Sequence, residues 1–281
     1  MAAGNRSAPE TESNGMRKNQ RRRMQVALTI AGSDSGGGAG IQADLKTFAA
    51  LGVHGTTAIT CLTAQNPAGV AAVEAASPHL VHQQMKAVFA ELPPAAVKTG
   101  MLFSAEIIRT VVEFFQSGER PPLVVDPVMV STSGARLLQE SAIEFLVERL
   151  LPLATLVTPN LDEAQLLVEG ELKSIEDLRA AARFIYERCG CAVLVKGGHL
   201  RGGKEAADIY YDGKTELLLA APFVRGVSTH GTGCTYSAAI TAHVARGANL
   251  PTAVQLAKQY ISAAIAQSRK VARHSVLDHC V

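Results

Sequence analysis

The chain has 281 residues, of which 47% are hydrophobic and 19% charged, and its formal net charge at neutral pH is +2. This composition excludes a wholly disordered chain, and the near-neutral charge argues against a nucleic-acid partner. No apolar run reaches the roughly 18 residues that a membrane-spanning helix needs, so we expect no membrane partner either.

The positive charge is concentrated at the start of the chain. Residues 1–25 contain 6 Lys+Arg and 2 Asp+Glu, a net of +4, so residues 26–281 carry 21 basic and 23 acidic residues, a net of −2. Because residues 1–25 lack the apolar stretch of a secretory signal, we expect a disordered basic leader. The 5 cysteines are scattered without C-x-x-C pairs, which favours a reducing, cytoplasmic location over a disulfide framework.

From residue 26 onward, short β-branched runs alternate with Ala- and Leu-rich stretches of helical period. In chain order, the predicted strands lie at 26–31, 56–62, 70–75, near 96, 123–126, 155–158, 192–196, 208–211 and 215–220. The predicted helices lie at 41–51, 78–92, 105–116, 140–150, 161–168, 175–188, 234–246 and 252–270. This alternation is typical of a mostly parallel sheet covered on both faces, so residues 26–281 are predicted to form a single α/β domain.

Polar motifs follow several predicted strands, at the edge where α/β sheets bind their ligands. The glycine-rich loop at 32–40 allows close backbone approach to a ligand, although a flexible turn has the same composition. Asp44, in the first turn of the next helix, either hydrogen-bonds a ligand amine or complements the helix dipole. The side-chain amide of Gln65 donates and accepts at once, as the edge of a heterocyclic base requires, with ordinary loop polarity as the alternative.

Three later motifs carry charge. Asp126 ends an apolar strand before a proline, where a carboxylate holds Mg²⁺ or simply forms a turn. Asn160 and Glu163 have the spacing of a helix capping box, and a glutamate at such a helix start could equally organise a metal ion. Lys196 precedes two glycines and either reaches a phosphate or is solvated.

The most specific motif is the segment 228–235, which runs straight into an Ala-rich helix. Gly231 and Gly233 free the backbone to aim successive N–H groups at one point, which predicts an anion hole for a transferring phosphoryl group. The field of the helix start is expected to favour the thiolate of Cys234. Cys234 could then act as a base or as an oriented polar contact, with close packing of a small residue as the alternative.

Together and in this order, the motifs resemble the hydroxymethylpyrimidine/phosphomethylpyrimidine kinases of thiamine biosynthesis, within the ribokinase-like superfamily. The resemblance rests on segments 31–46, 63–66, 98–101, 126–129, 158–160, 196–199 and 229–234. It implies a three-layer α/β/α sandwich that uses ATP and Mg²⁺. The implied reaction phosphorylates 4-amino-5-hydroxymethyl-2-methylpyrimidine to its monophosphate and then to its diphosphate. Residues 274–281 depart from the family's glycine-rich closing segment.

The resemblance also implies roles for individual residues. Gln65 and Asp44 would bind the aminopyrimidine in a pocket lined by Gly32, Thr63, Met101 and Val128. The nucleotide phosphates would contact Asn160, Lys196, Thr229, Gly231, Thr232 and Gly233, and Asp126 and Glu163 would place Mg²⁺. Catalysis would fall to Cys234, Lys196, Gly231 and Gly233, with Cys234 assisting the attack of the substrate oxygen on the γ-phosphorus.

Two other functions stay open at this point. Pyridoxal or pyridoxine kinase activity would use the same scaffold, because those substrates also present a hydroxymethyl group on a six-membered heteroaromatic ring. A non-catalytic pyrimidine-binding protein is the other alternative. The expected partners are the pyrimidine and ATP, with a homodimer as a further expectation.

Overall fold

The computed structural model describes residues 1, 23–118, 120–129, 138, 140–198, 200, 205–224, 226 and 230–281. In this part of the chain, a nine-stranded, mostly parallel sheet is covered by helices on both faces. The predicted α/β class is confirmed. The expected disordered leader falls largely outside the described residues.

The elements agree with most of the predicted ones. The strands are β1 Val26–Asp34, β2 His54–Asn66, β3 Gly69–Ala75, β4 Ala96–Thr99, β5 Leu123–Val125, β6 Leu156–Val157, β7 Ala192–Lys196, β8 Glu205–Tyr211, β9 Glu216–Pro222, β10 Arg269–Val271 and β11 His274–Val276. The helices are α1 Gly40–Ala50, α2 Pro78–Glu91, α3 Ala105–Ser117, α4 Glu140–Phe145, α5 Leu161–Val168, α6 Ile175–Cys189, α7 Thr232–Ala245 and α8 Leu250–Ala266. None of the described helices has both the length and the apolar character that crossing a membrane requires.

The strand order across the sheet places a crevice near its centre. The order is β3-β2-β1-β4-β5-β6-β7-β8-β9, and the strands from β2 to β7 in this order run parallel. The chain leaves β1 toward β2 and later returns to the other side of β1 as β4. Ligands of open α/β sheets bind at such a reversal, beyond the carboxyl ends of the strands.

The central strands are buried on both faces, which explains their continuous apolar runs. In β5, Val125 faces the layer of α2 to α6, whereas Val124 faces the layer of α1, α7 and α8. Helix α7 is buried along most of its length, because its small side chains pack against α1, α8 and the sheet. This packing holds the start of α7 at the carboxyl edge of the sheet.

Four predicted boundaries are wrong. The helix predicted to reach residue 270 ends at Ala266, and the chain turns back as the β10–β11 hairpin, with Ala272 at a φ of 52°. The helix predicted at 140–150 is α-helical only to Phe145 and continues as a π-helical turn over 146–150. Strands β1 and β2 extend beyond their apolar runs to Asp34 and Asn66, since sheet pairing outweighs the low strand propensity of these polar ends.

Candidate active site

The predicted anion hole lies at the carboxyl edge together with Lys196, predicted to contact the phosphates, and Asp126, predicted to place Mg²⁺. Lys196 Nζ donates to Asp126 Oδ1 at 2.8 Å, and a Cβ atom added to Gly233 would lie 3.3 Å from the same Nζ. The Lys196 ammonium therefore lies against the first turn of α7. Positive charge and the backbone N–H groups of a helix start converge there, as binding of a phosphoryl group requires.

Asp126 is held from three sides. Besides Lys196, it accepts hydrogen bonds from Thr158 Oγ1 at 3.2 Å and from Ser237 Oγ at 3.1 Å. Burial raises the pKa of Asp126, but the ammonium groups of Lys196 and Lys98 outweigh burial and lower it. The carboxylate is thus ionised at neutral pH and offers negative charge to a cation.

Asn160 and Glu163 form the capping box that their spacing predicts. The backbone N–H of Asn160 donates to Glu163 Oε2 at 2.8 Å, and that of Glu163 donates to Asn160 Oδ1 at 2.9 Å. Burial raises the pKa of Glu163 to about 8, with Lys196 opposing the rise and Asp126 adding to it. Glu163 therefore shares the electrostatic environment of Asp126 and Lys196.

The ionised Asp126 fits a magnesium ion bound together with nucleotide phosphates, and Glu163 fits the same ion once the cation displaces its proton, since a pKa of about 8 keeps Glu163 mostly protonated at neutral pH. Among the described residues, no group of three or more His, Cys, Asp or Glu side chains could hold a metal by itself. Mg²⁺, however, keeps several waters and is usually bound by one or two carboxylates plus substrate phosphates. Asp126 and Glu163 match that donor set.

Cys234 is partly exposed in the first turn of α7, and the backbone N–H of Gly40 donates to its sulfur. The expectation that the helix start favours the thiolate is wrong. Burial raises the pKa of Cys234 to about 11; Lys98 opposes this rise, whereas Asp44 and Asp126 add to it. The cost of desolvating the thiolate and the repulsion from two nearby carboxylates together outweigh the field of the helix. Cys234 is therefore a neutral thiol at neutral pH.

Asp44 lies in a fully buried ion pair with Lys98. Lys98 Nζ donates to both Asp44 oxygens at 2.9 Å, and Thr29 Oγ1 donates to Oδ2 at 2.6 Å. Burial lowers the pKa of Lys98, but the Asp44 carboxylate raises it well above its usual range, so the pair is ionised. A contact between Asp44 and a pyrimidine stays a prediction.

Lys98 had no predicted role, although it belongs to one of the resemblance segments. A lysine directly after Ala96 and Val97 in a predicted strand is the signal that could have found it, because a lysine is almost never fully buried without a partner. The sequence alone does not show that the partner is Asp44, which is 54 positions away.

The glycine-rich loop is organised by Asp34, which sequence reasoning also missed. Asp34 accepts hydrogen bonds from the backbone N–H groups of Gly36, Gly38 and Ala39 at 2.8, 3.1 and 2.8 Å. The loop also touches the anion hole, because a Cβ atom on Gly231 would lie 1.8 Å from the Gly38 carbonyl oxygen. With a φ of 82°, Gly231 is a position where only glycine fits.

The predicted substrate-binding residues lie beside this loop. Gln65 Oε1 lies 3.2 Å from Thr63 Oγ1, and Gln65 Nε2 lies 3.4 Å from His230 Nε2. A Cβ atom on Gly32 would lie 3.0 Å from Met101 Cε, so these two residues are neighbours.

Three further residues are predicted to contact the pyrimidine or the nucleotide, namely Val128, Thr232 and Thr229. Val128 lies in the turn after β5, where its N–H donates to the Asp126 carbonyl oxygen at 2.8 Å. Thr232 opens α7 at the anion hole. Thr229 lies outside the described residues.

Comparison with known proteins bears on this geometry. Residues 34–277 match the family model described as phosphomethylpyrimidine kinase. A hydroxymethylpyrimidine/phosphomethylpyrimidine kinase of Synechococcus elongatus is 49% identical over 249 residues, covering 87% of this chain and 93% of the relative.

Two solved structures are similar to the whole sandwich. The ADP complex of Bacillus subtilis pyridoxal kinase has a TM-score of 0.84 at 37% identity, over 92% of this chain and 98% of that one. A phosphomethylpyrimidine kinase from Clostridium difficile has a TM-score of 0.76 at 43% identity, over 85% of this chain and 98% of that one. Both are kinases, and the ribokinase-like fold is thereby confirmed.

The buried ion pair predicts a stability effect. Lys98→Met leaves the Asp44 carboxylate buried without its cation, which is expected to lower the free energy of unfolding by about 3–5 kcal/mol. Denaturant unfolding would measure the loss, and Lys98→Met combined with Asp44→Leu should recover much of it. A double variant that is less stable than the single one would contradict the pairing.

The raised pKa of Cys234 predicts its reactivity. Near neutral pH, iodoacetamide should modify the exposed Cys280 and spare Cys234, because the thiolate is the nucleophile. The Cys234 rate should rise with pH until about 11, as followed by peptide mass spectrometry. A rate that levels off at about 8.5, the ordinary pKa of a thiol, would show that burial does not control Cys234.

Proposed function

Because the chain belongs to the phosphomethylpyrimidine kinase family, we propose that it phosphorylates the hydroxymethyl group of 4-amino-5-hydroxymethyl-2-methylpyrimidine. ATP is the phosphoryl donor, and a second transfer converts the monophosphate to the diphosphate for thiamine biosynthesis. The observation that carries this proposal is the convergence of Lys196, Asp126 and the glycine-opened start of α7. These groups meet at one edge of the sheet, where the γ-phosphoryl group would lie.

Lys196 and the N–H groups at the start of α7 would stabilise the charge on the transferring phosphoryl group. Phosphoryl transfer passes through a loose transition state, so positioning and charge stabilisation contribute more than a strong base. A neutral Cys234 thiol is compatible with this chemistry. We propose that this thiol orients the attacking oxygen of the substrate, since its place at the first turn of α7 borders the anion hole.

Asn160, Thr229 and Thr232 complete the proposed nucleotide site, and Asp126 and Glu163 would hold Mg²⁺. When bound, this cation would neutralise the developing charge on the phosphates. Use of ATP is supported by the similarity to a kinase whose structure contains ADP. On the other side of the anion hole, Gln65, Thr63, Gly32, Met101 and Val128 would hold the pyrimidine. Asp44 is fully buried against Lys98 and Thr29, so it would contact the pyrimidine only by exchanging one of these partners for the ligand.

Pyridoxal kinase activity is the second candidate function. The similarity to the Bacillus subtilis pyridoxal kinase favours it, since that structure covers 92% of this chain. The family model and the 49% identical relative favour the pyrimidine as the main substrate. We also propose that residues 26–281 act as one domain in the cytoplasm, supported by the single large sheet and the free cysteines.

Product analysis tests the proposed function. Incubation of the protein with the pyrimidine, ATP and Mg²⁺ should give the monophosphate and then the diphosphate, identified by mass spectrometry, with equivalent ADP. Pyridoxal in a parallel reaction should be turned over with a lower kcat/KM. Binding of the pyrimidine with no ADP formed would contradict the kinase.

In the same assay, Cys234→Ala is expected to lower kcat by at least about tenfold while changing the KM for the pyrimidine less, because it removes a contact to the attacking oxygen. Cys280→Ala is the matched control, since Cys280 is exposed near the C-terminus. Unchanged turnover of Cys234→Ala would remove Cys234 from the reaction.

We further propose that the chain forms a homodimer through β3. This edge strand is exposed at all seven residues, and its apolar side chains include Val70 and Val73. An edge strand offers unpaired N–H and C=O groups, and two copies related by a twofold axis pair their edges symmetrically.

A charged side chain introduced on the β3 edge tests the dimer proposal. Val73→Lys should shift the mass measured by light scattering from dimer to monomer, because two like charges would then face each other across the axis. Leu256→Lys, at an exposed position on α8, is the control and should leave the mass unchanged. A wild-type protein that is monomeric at micromolar concentration would contradict the dimer.

A further inference from the structure

Asp208 is a buried carboxylate of β8 that no step of the proposed reaction uses. Its Oδ1 atom accepts a hydrogen bond at 3.0 Å from the backbone N–H of Gly197, the residue directly after Lys196. Its Oδ2 atom accepts at 2.8 Å from Lys258 Nζ, which comes from α8. We propose that Asp208 is a positioning residue that fixes the backbone of Lys196 and thereby aims this lysine at the nucleotide phosphates. This inference rests on the phosphate contact of Lys196 in the proposed function.

The backbone N–H groups at the end of β7 point alternately to its two neighbouring strands. The N–H of Lys196 donates to the Pro159 carbonyl oxygen at 2.8 Å, on the side of β6. The next N–H, that of Gly197, points to β8, where the antiparallel ladder ends at the pair of Lys196 with Asp208. The Asp208 carboxylate therefore takes the place that a backbone carbonyl has inside the ladder.

The backbone at Gly197 is closely packed from two sides. A Cβ atom on Gly197 would clash with the Ala207 carbonyl oxygen of β8 and with Leu178 Cδ1 of α6. Water could therefore replace Asp208 as the acceptor only by displacing one of these neighbours. A buried N–H without an acceptor keeps its full desolvation cost, which a shift of the end of β7 would relieve. Lys196, as the last residue of β7, would move with it.

The Lys196 side chain depends on this backbone support when a nucleotide binds. In the structure, its Nζ atom donates to Asp126 Oδ1 at 2.8 Å, so the ion pair helps to hold the lysine. In the proposed complex, Asp126 would turn to Mg²⁺ and Lys196 to the phosphates. The direction of the lysine then depends on the position of its own backbone, which Asp208 supports through Gly197.

Lys258 holds the Asp208 carboxylate in place from α8. Its Nζ atom also donates to the Ala206 carbonyl oxygen at 2.9 Å, so the ammonium group is bound to β8 at two points. Burial raises the pKa of Asp208, and the ammonium groups of Lys258 and Lys196 oppose this rise. Helix α8 thus supports the end of β7 through a charge pair that lies outside the phosphate site.

Two matched double variants separate the hydrogen bond to Gly197 from the ion pair. Lys258→Met with Asp208→Asn removes both charges but keeps an amide oxygen that can accept from the Gly197 N–H. Lys258→Met with Asp208→Leu removes both charges and the acceptor, with a side chain of similar shape. Neither variant leaves a buried charge without its partner, so both are expected to fold, and thermal melting checks this.

Calorimetric titration with Mg²⁺ and the non-hydrolysable ATP analogue AMP-PCP is the readout. The double variant with Asp208→Leu should bind AMP-PCP about tenfold more weakly than the wild type, as the loss of one hydrogen bond predicts. The double variant with Asp208→Asn should stay within about threefold, and both should bind the pyrimidine within about threefold of the wild type. A general loss of structure would weaken both ligands. Tyr236→Phe is the control, since it removes a buried hydroxyl near Asp208 and leaves the Gly197 hydrogen bond in place.

The same comparison in a Lys196→Ala background closes the test. If Asp208 acts through Lys196, the two double variants should bind AMP-PCP equally once Lys196→Ala is added. Equal affinities with Lys196 present, or an unchanged difference without it, would overturn the role of Asp208. A wild-type protein that forms no phosphorylated pyrimidine would instead overturn the proposed function, and the AMP-PCP titrations would still test Asp208. A wild-type protein that does not bind AMP-PCP would overturn both.

Discussion

The site depends on the pairing of buried charges at one edge of the sheet. Two lysines lie there beneath the start of α7, and each is neutralised by a carboxylate from another element: Lys98 by Asp44 and Lys196 by Asp126. A buried charge without such a partner is strongly unfavourable. The pairs therefore hold α1, β4, β5 and β7 in one arrangement, and the phosphate-binding backbone rests on that arrangement.

The two ion pairs differ in solvent exposure and therefore in their accessibility to a ligand. Lys98 and Asp44 are fully buried, whereas the Lys196 side chain keeps 11% of its surface exposed. A nucleotide phosphate could therefore compete for Lys196 while the inner pair stays intact. The inner pair sets the environment of Cys234, and the outer pair meets the charge that arrives with the nucleotide.

The sequence predicted the α/β class and most of the motifs at the carboxyl edge, since apolar runs that end in polar residues are a local pattern. It did not predict the partners of Asp34, Lys98 or His230, which are long-range contacts. The raised pKa of Cys234 could not be predicted either, because burial beside two carboxylates is a property of the packed molecule. The β10–β11 hairpin was missed for a different reason, because strands this short show no alternating pattern. Its strands are three residues each and the tail beyond them packs on α8 through the Tyr260 hydroxyl.

The packing of α7 has a consequence for the proposed two-step reaction. Since small side chains bury this helix from Thr235 onward between α1, α8 and the sheet, the helix cannot move as a unit without opening the core. The γ-phosphoryl group would thus meet the same fixed point in both steps. The acceptor, however, is longer by one phosphate in the second step. The difference in length has to be absorbed on the acceptor side, where the β2–β3 pair extends past the core with its outer strand fully in solvent.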